Sequence, residues 1–143
     1  MDVDAKRAAR LGDIFYARRR WGAAAKEYGR ARSRLPAEVP QVARRYAFSQ
    51  IQLGHYPEAE EALRSAAERD PEDEAVQSLY AQALLHGKKY EKARIALDNG
   101  IAVDPFDPDL HAVYVAVAKE LKDGALEKRE RTAYELATGR GAQ

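Results

Sequence analysis

Three histidines, His55, His86 and His111, hold most of the metal-binding and proton-transfer promise of this 143-residue chain. A zinc-binding helix would set two of them one turn apart, or one beside a carboxylate at that spacing. They fall instead on three separate segments, and no two of them stand one turn apart. The chain has no cysteine, which removes disulfides, thiolate metal sites and cysteine nucleophiles together. Glu58, Glu60 and Glu61 read as a solvated helix face, because a catalytic carboxylate pair needs a pocket that shifts one of the two pKa values. Asp70-Pro71-Glu72-Asp73-Glu74 stands at a helix start, where carboxylates complement the dipole. It reads as a cap, with a cation site as the alternative. Ser33, Ser49, Ser65 and Ser78 lie within helices or near their ends, with no nucleophile elbow, and no glycine-rich phosphate loop is present. The sequence thus predicts no catalytic residue, no metal site and no cofactor.

Arg18-Arg19-Arg20 is the basic run. It lacks an interleaved aromatic platform, since its neighbours are only Tyr16 and Trp21 and Trp21 falls at a packing position. It reads as a solvated turn, and no nucleic-acid partner is predicted. The net charge of +1 is unevenly spread. Residues 1–36 carry ten Lys/Arg against four Asp/Glu, whereas 37–71 and 72–105 each carry four against six, and 106–143 six against seven. A basic first stretch can steer an acidic partner or favour weak self-association through the ends of the molecule. No apolar run approaches the roughly 18 residues of a membrane span, and Met1–Arg10 leads into no apolar signal core. These features predict a cytoplasmic protein without membrane insertion, or a mature, for example periplasmic, or excised fragment.

The elements that must position these residues are helices. Apolar residues recur at three and four, giving eight predicted helices at about 4–18, 21–34, 39–53, 56–69, 73–86, 89–103, 108–121 and 125–138. Gly54, Gly87 and Gly124 mark turns, Pro57 suits a first helical turn, and Asp107-Pro108 reads as an N-cap followed by a first-turn proline. The segments repeat. Pro36, Pro71 and Pro105 stand 35 and 34 residues apart, as do Ala24, Ala59 and Ala93. The first unit reads Ala8, Leu11, Gly12 and Phe15, then Ala24, Tyr28, Ala31 and Pro36. The second reads Ala43, Tyr46, Ala47 and Gln50, then Ala59, Leu63, Ala66 and Pro71. The third reads Gln77, Tyr80, Ala81 and Leu84, then Ala93, Leu97, Gly100 and Pro105. Small residues at matched places let the two helices of a hairpin approach, and large ones fill the gaps.

Over residues 5 to 105 this pattern resembles the tetratricopeptide repeat, a 34-residue helix–turn–helix unit. The resemblance implies an all-α fold, a right-handed superhelix of antiparallel hairpins. It implies a single domain over 5–138, with repeats at 5–38, 39–73 and 74–107. A capping hairpin would follow at 108–138, and a frayed tail at 139–143. The fourth unit departs from the pattern: Val115 replaces the small residue, Glu127 stands at the alanine position and Arg131 at the large apolar one. Its polar outer face is expected because nothing stacks on it.

The resemblance also implies a concave groove lined by the first helix of each repeat. There it places Arg10 and Tyr16, then Arg44, Arg45, Phe48 and Ile51, then Leu79, Gln82 and Leu85. Phe48 and Ile51 either anchor a partner or pack against the neighbouring hairpin. Some family members clamp a partner's terminal carboxylate, but the matching places here hold Ala9, Asp13, Arg45, Ala75 and Leu79. Only Arg45 suits that task, so no clamp is expected. The predicted role is a non-catalytic module binding a peptide or helix of a partner protein. The alternatives are a small bacterial secretion chaperone and a regulatory or scaffolding segment of a larger enzyme, for example a membrane-bound one.

Overall fold

The computed structural model describes residues 3–34 and 40–139, with Pro40 described by its backbone alone. Pro36 and the tail beyond Gly139 lie outside the described residues. Eight α-helices, α1 Val3–Ala17, α2 Trp21–Arg32, α3 Pro40–Gln52, α4 Tyr56–Arg69, α5 Glu74–His86, α6 Tyr90–Val103, α7 Pro108–Glu120 and α8 Gly124–Thr138, make up the order, with no strand among the described residues. All eight fall where the periodicity predicts them, within two residues at each end. Internal packing divides the chain into two units, Met1–Ala66 and Ala67–Gln143, with the boundary near the end of α4.

Local chemistry sets the helix ends. Asp73, Asp107 and Asp123 cap α5, α7 and α8 by accepting hydrogen bonds from the backbone N–H of Val76, Asp109 and Leu126. Pro108 occupies the first turn of α7, where its missing N–H costs nothing. Each turn within a hairpin repeats one backbone device. The N–H groups of Arg20, His55, Lys89 and Asp123 donate to the carbonyls five residues earlier, at 2.9, 2.8, 2.9 and 3.0 Å. The residue before each donor is left-handed: Arg19 (φ 57°), Gly54 (78°), Lys88 (61°) and Lys122 (55°). Glycine therefore fills this position only once. Gly87 instead ends α5 at φ −81°, and Gly124 is the first residue of α8.

In the first unit α1 and α3 both pack on α2. Ala8, Ala24, Tyr28, Ala31 and Val42 form its core, with Phe15, Tyr16 and Tyr46 packed against it. Gly12 is required here, because a Cβ on it would lie 2.6 Å from the Tyr28 ring. In the second unit α5 pairs with α6 and α7 with α8, and α7 also packs on α5 and α6. Its core is aliphatic: Leu84, Leu97, Leu110, Val117 and Leu126 around Tyr114. The small residues predicted at helix crossings, Gly12, Ala24, Ala47, Ala59, Ala81 and Ala93, are all buried.

The last hairpin packs with a shifted face. Leu126 and Glu130 are buried, one position ahead of Glu127 and Arg131. Those two form an ion pair at 2.7 Å instead. On α7 the buried small residue is Ala118, while Val115 is half-buried. Rotating α8 in this way puts its one suitable leucine inward and leaves Lys128, Arg129 and Arg131 exposed.

Candidate functional site

The first unit gathers aromatic and charged groups from α1, α2 and α3. The Tyr16 ring meets Trp21 and Phe48 edge-on at centroid distances of 5.5 and 5.8 Å, and Trp21 meets Phe48 at 5.3 Å. Beside them Asp13 Oδ1 accepts two hydrogen bonds, from the Tyr28 hydroxyl at 2.6 Å and from Arg45 Nη1 at 2.8 Å. The Arg45 guanidinium also lies over the Tyr16 ring, 5.1 Å from its centroid. Burial, and then the bond to Asp13, push the Tyr28 hydroxyl above the ordinary phenol range. It therefore remains a neutral donor at physiological pH. Arg45 is thus fixed on two sides while its head group stays partly in water, a geometry suited to an acidic or aromatic partner group.

Of the residues assigned to a groove from the sequence, the structure brings Tyr16, Arg45 and Phe48 into this one cluster. Phe48 is half-buried and makes ring contacts with the first hairpin, so part of its apolar surface is used within the chain. Arg10 is exposed on α1, and Arg44 and Ile51 are half-buried on α3. Leu79, Gln82 and Leu85 are half-buried on α5 of the second unit, and Leu85 packs against that unit's core. Sequence reasoning missed the roles of Asp13 and Tyr28. Fifteen residues separate them, and nothing in either local stretch shows that one oxygen serves both Tyr28 and Arg45.

Two polar clusters in the second unit also escaped the sequence. His111 and Glu130 are buried together, with Nδ1 2.6 Å from Glu130 Oε2 and Nε2 2.6 Å from the Pro105 carbonyl. The carbonyl can only accept, so Nε2 is the donor there. Glu130 Oε1 accepts from Arg129 as well, at 3.2 and 3.0 Å. The signal for His111 lay in the repeat. It stands 34 residues after Gln77, another buried polar side chain, which donates to the Ala67 carbonyl at 3.0 Å.

The second cluster is Glu74, Asp104 and Asp107, whose carboxylate oxygens lie within 4.8 Å of one another. Hydrogen bonding to Asp107, burial and the Asp107 charge push the Glu74 carboxyl up to about 7. Hard oxygen ligands of this kind can hold a divalent cation. Asp104 and Asp107 already accept from the N–H groups of Phe106 and Asp109, and Asp73 and Asp70 serve the start of α5 likewise. Capping accounts for most of these acidic groups.

A family model described as Tetratricopeptide repeat matches residues 15–82 and 50–116. The chain belongs to the tetratricopeptide-repeat family. Among solved structures, the crystal structure of a thermophilic TPR protein in Thermus thermophilus superposes with a TM-score of 0.67 at 24% identity. The match covers 95% of this chain and 84% of that one. It shows the same all-α helical-repeat fold. No match is found among curated proteins. Repeats of this family are generally protein-interaction modules and typically non-catalytic. No helix among the described residues is long and apolar enough to cross a membrane.

Proposed function

We propose that this chain is a non-catalytic module that binds a short segment of a partner protein, with apolar anchors and acidic flanks, on the α1–α3 surface of its first unit. The observation that carries the reading is the fixed Arg45, held by Asp13 at 2.8 Å and stacked over Tyr16 beside Phe48. A guanidinium held in place before binding loses less entropy when a carboxylate arrives. The basic excess of residues 1–36 supports the choice of an acidic partner. Leu79, Gln82 and Leu85, at matching places on α5, are proposed as further contact residues.

The test is kinetic, on a captured partner segment. Rim charges mainly set the rate of association and its salt dependence, whereas packed anchors set residence time. Arg44→Glu with Arg45→Glu is expected to slow association and flatten its salt dependence. Phe48→Ala is expected to speed dissociation about tenfold, equivalent to about 1.4 kcal/mol. Both variants must melt as wild type does. Wild-type kinetics in both would eliminate this surface as the binding site.

A further inference from the structure

A groove of about 580 Å³ opens between α2 and the end of α3. Tyr46, Gln50 and Leu53 line it from the α3 side. They stand about 140° round that helix from Arg45 and Phe48, so this is not the α1–α3 surface. Its charge is one-sided. Lys26 and Arg30, one turn apart on α2, line it and are exposed. Among the described residues no carboxylate lines it, and Lys26 has no ion-pair partner. Arg30 meets Glu27 only at 3.7 Å, with its side chain 68% exposed. A smaller cavity shares Arg30 and Ser33 with the groove and adds Arg34 and one carboxylate, Asp4. The groove floor is built to donate. Gln50 Nε2 donates to the Tyr46 hydroxyl oxygen at 3.0 Å, and Gln50 Oε1 accepts from His55 Nδ1 at 2.8 Å. This order leaves the Tyr46 hydroxyl proton and the second ring nitrogen of His55 for a ligand.

We propose that this groove takes an extended, acidic segment of a partner protein, as a second contact independent of the α1–α3 surface. Charge selects the chemistry: two cations above a donating floor, with no lining carboxylate, favour a ligand that carries carboxylates. Shape selects the form. The α2 wall runs from Gly22 to Ser33, about 16 Å of helix, which matches about five residues of extended chain. An open groove of that length suits a chain, whereas a small anion needs an enclosed pocket. Gly22 offers a clean probe of the site. A Cβ on it would meet nothing within 4 Å, so a side chain added there enters the groove and not the core.

An NMR titration of the full chain with end-blocked hexaglutamate tests this. At about 0.05 M salt the amides of Gly22, Lys26, Arg30 and His55 are expected to shift together and to saturate below about 1 mM peptide. Gly22→Glu puts bulk and negative charge into the groove, in the first turn of α2 where a carboxylate complements the helix dipole. It is expected to melt no lower than wild type and to bind at least about tenfold more weakly. Lys26→Glu with Arg30→Glu is expected to weaken binding by at least as much. Arg44→Glu with Arg45→Glu is expected to leave these shifts unchanged, which separates this groove from the α1–α3 surface. Glutarate, which carries the same carboxylates without the chain, is expected to bind at least about tenfold more weakly than the peptide. Absence of a saturable shift in the wild type overturns the proposal, and so does wild-type affinity in Gly22→Glu. Shifts that centre on Arg45, or that spread over Arg18-Arg19-Arg20 without saturating, also overturn it. Equal binding of glutarate makes the groove a small-anion pocket and overturns the peptide assignment.

Discussion

Both units bury a tyrosine whose hydroxyl donates to an aspartate on a neighbouring helix, Tyr28 to Asp13 at 2.6 Å and Tyr114 to Asp98 at 2.7 Å. Both place an arginine over an aromatic ring nearby, Arg45 over Tyr16 and Arg129 over Tyr114. The two diverge in where the charge leads. In the first unit Arg45 and Asp13 remain 29 and 49% exposed, so their pairing can be re-formed with a partner. In the second, Arg129 leads to Glu130, which is inside the hairpin against His111. The same side-chain types thus form a partly solvated pair in one unit and a closed joint between α7 and α8 in the other.

The largest expected effect follows from that contrast. Glu130→Ala leaves His111 buried without its acceptor and should cost about 3 kcal/mol, the scale for breaking a buried pair. Asp13→Ala breaks a partly solvated pair and should cost about 1 kcal/mol. Urea unfolding of both variants measures the difference. Equal losses would show that the second unit does not depend on its buried pair. Replacing both partners, His111→Leu with Glu130→Leu, should recover most of the loss, since an apolar pair leaves no group unsatisfied.

Close packing sharpens the comparison next. A Cβ at Gly12 would meet the Tyr28 ring at 2.6 Å, and that ring is buried and tied to Asp13 through its hydroxyl. A Cβ at Gly100 would meet Leu110 Cδ2 at 2.8 Å and Cδ1 at 3.1 Å, the branched end of a buried aliphatic side chain that has no hydrogen bond to hold it in place. Gly12→Ala is therefore expected to destabilise by about 2 kcal/mol. Gly100→Ala should change stability by less than about 1 kcal/mol, because helix propensity offsets a smaller strain. Thermal melts that rank the two in the opposite order would mean the first unit's core yields more readily than its tyrosine contacts suggest.

The third effect belongs to the second unit alone. The Glu74 carboxyl, at about 7 in the folded chain, lies above its ordinary 4.5. The folded state therefore holds a proton that the unfolded chain has lost across that window, and stability falls as pH rises from about 4.5 to 7. Glu74→Gln removes this loss. It should raise stability at pH 8 by about 1 kcal/mol once solvent screening is allowed for, and leave it nearly unchanged at pH 4. Melts at the two pH values check it, and a gain of equal size at both would assign the effect to something other than titration.

Much of the fold was legible because one pattern occurs three times. Ala24, Ala59 and Ala93 announce their burial by recurring in step, and the prolines and capping aspartates punctuate the same interval. The fourth unit was only partly legible. Its residues at the repeat positions, Glu127 and Arg131, are wrong for a core, and the chain answers by turning α8 through one residue so that Leu126 faces inward. No periodicity anchored on the earlier units predicts that turn. The proposed binding surface was the least legible part. Residue types placed Tyr16, Arg45 and Phe48 on suitable helices. Their convergence on Asp13 and Trp21 depends on how three helices cross, which composition does not encode. Pairings across long separations, such as Glu74 with Asp104 and Asp107, were hidden for the same reason.

The smallest expected effect lies in the turns, where the two units can be compared at a single atom position. Gly54 holds the left-handed residue of one turn in the first unit, and Lys88 holds the matching place in the second, at φ 78° and 61°. Both turns close with the same backbone bond, His55 N–H to Gln50 O and Lys89 N–H to Leu84 O. A side chain in this conformation costs about 1 kcal/mol through the clash of its Cβ with the following carbonyl. Glycine removes the clash but loosens the unfolded chain, which returns part of the gain. Lys88→Gly should therefore stabilise by about 0.5 kcal/mol, and Gly54→Lys should destabilise by a similar or slightly larger amount. Lys122→Gly, in the last hairpin at φ 55°, should behave as Lys88→Gly does. Differential melts on the three variants decide it. If Lys88→Gly and Lys122→Gly both destabilise, the lysine side chains contribute contacts that outweigh the backbone strain, and the four turns are alike in geometry but not in what holds them.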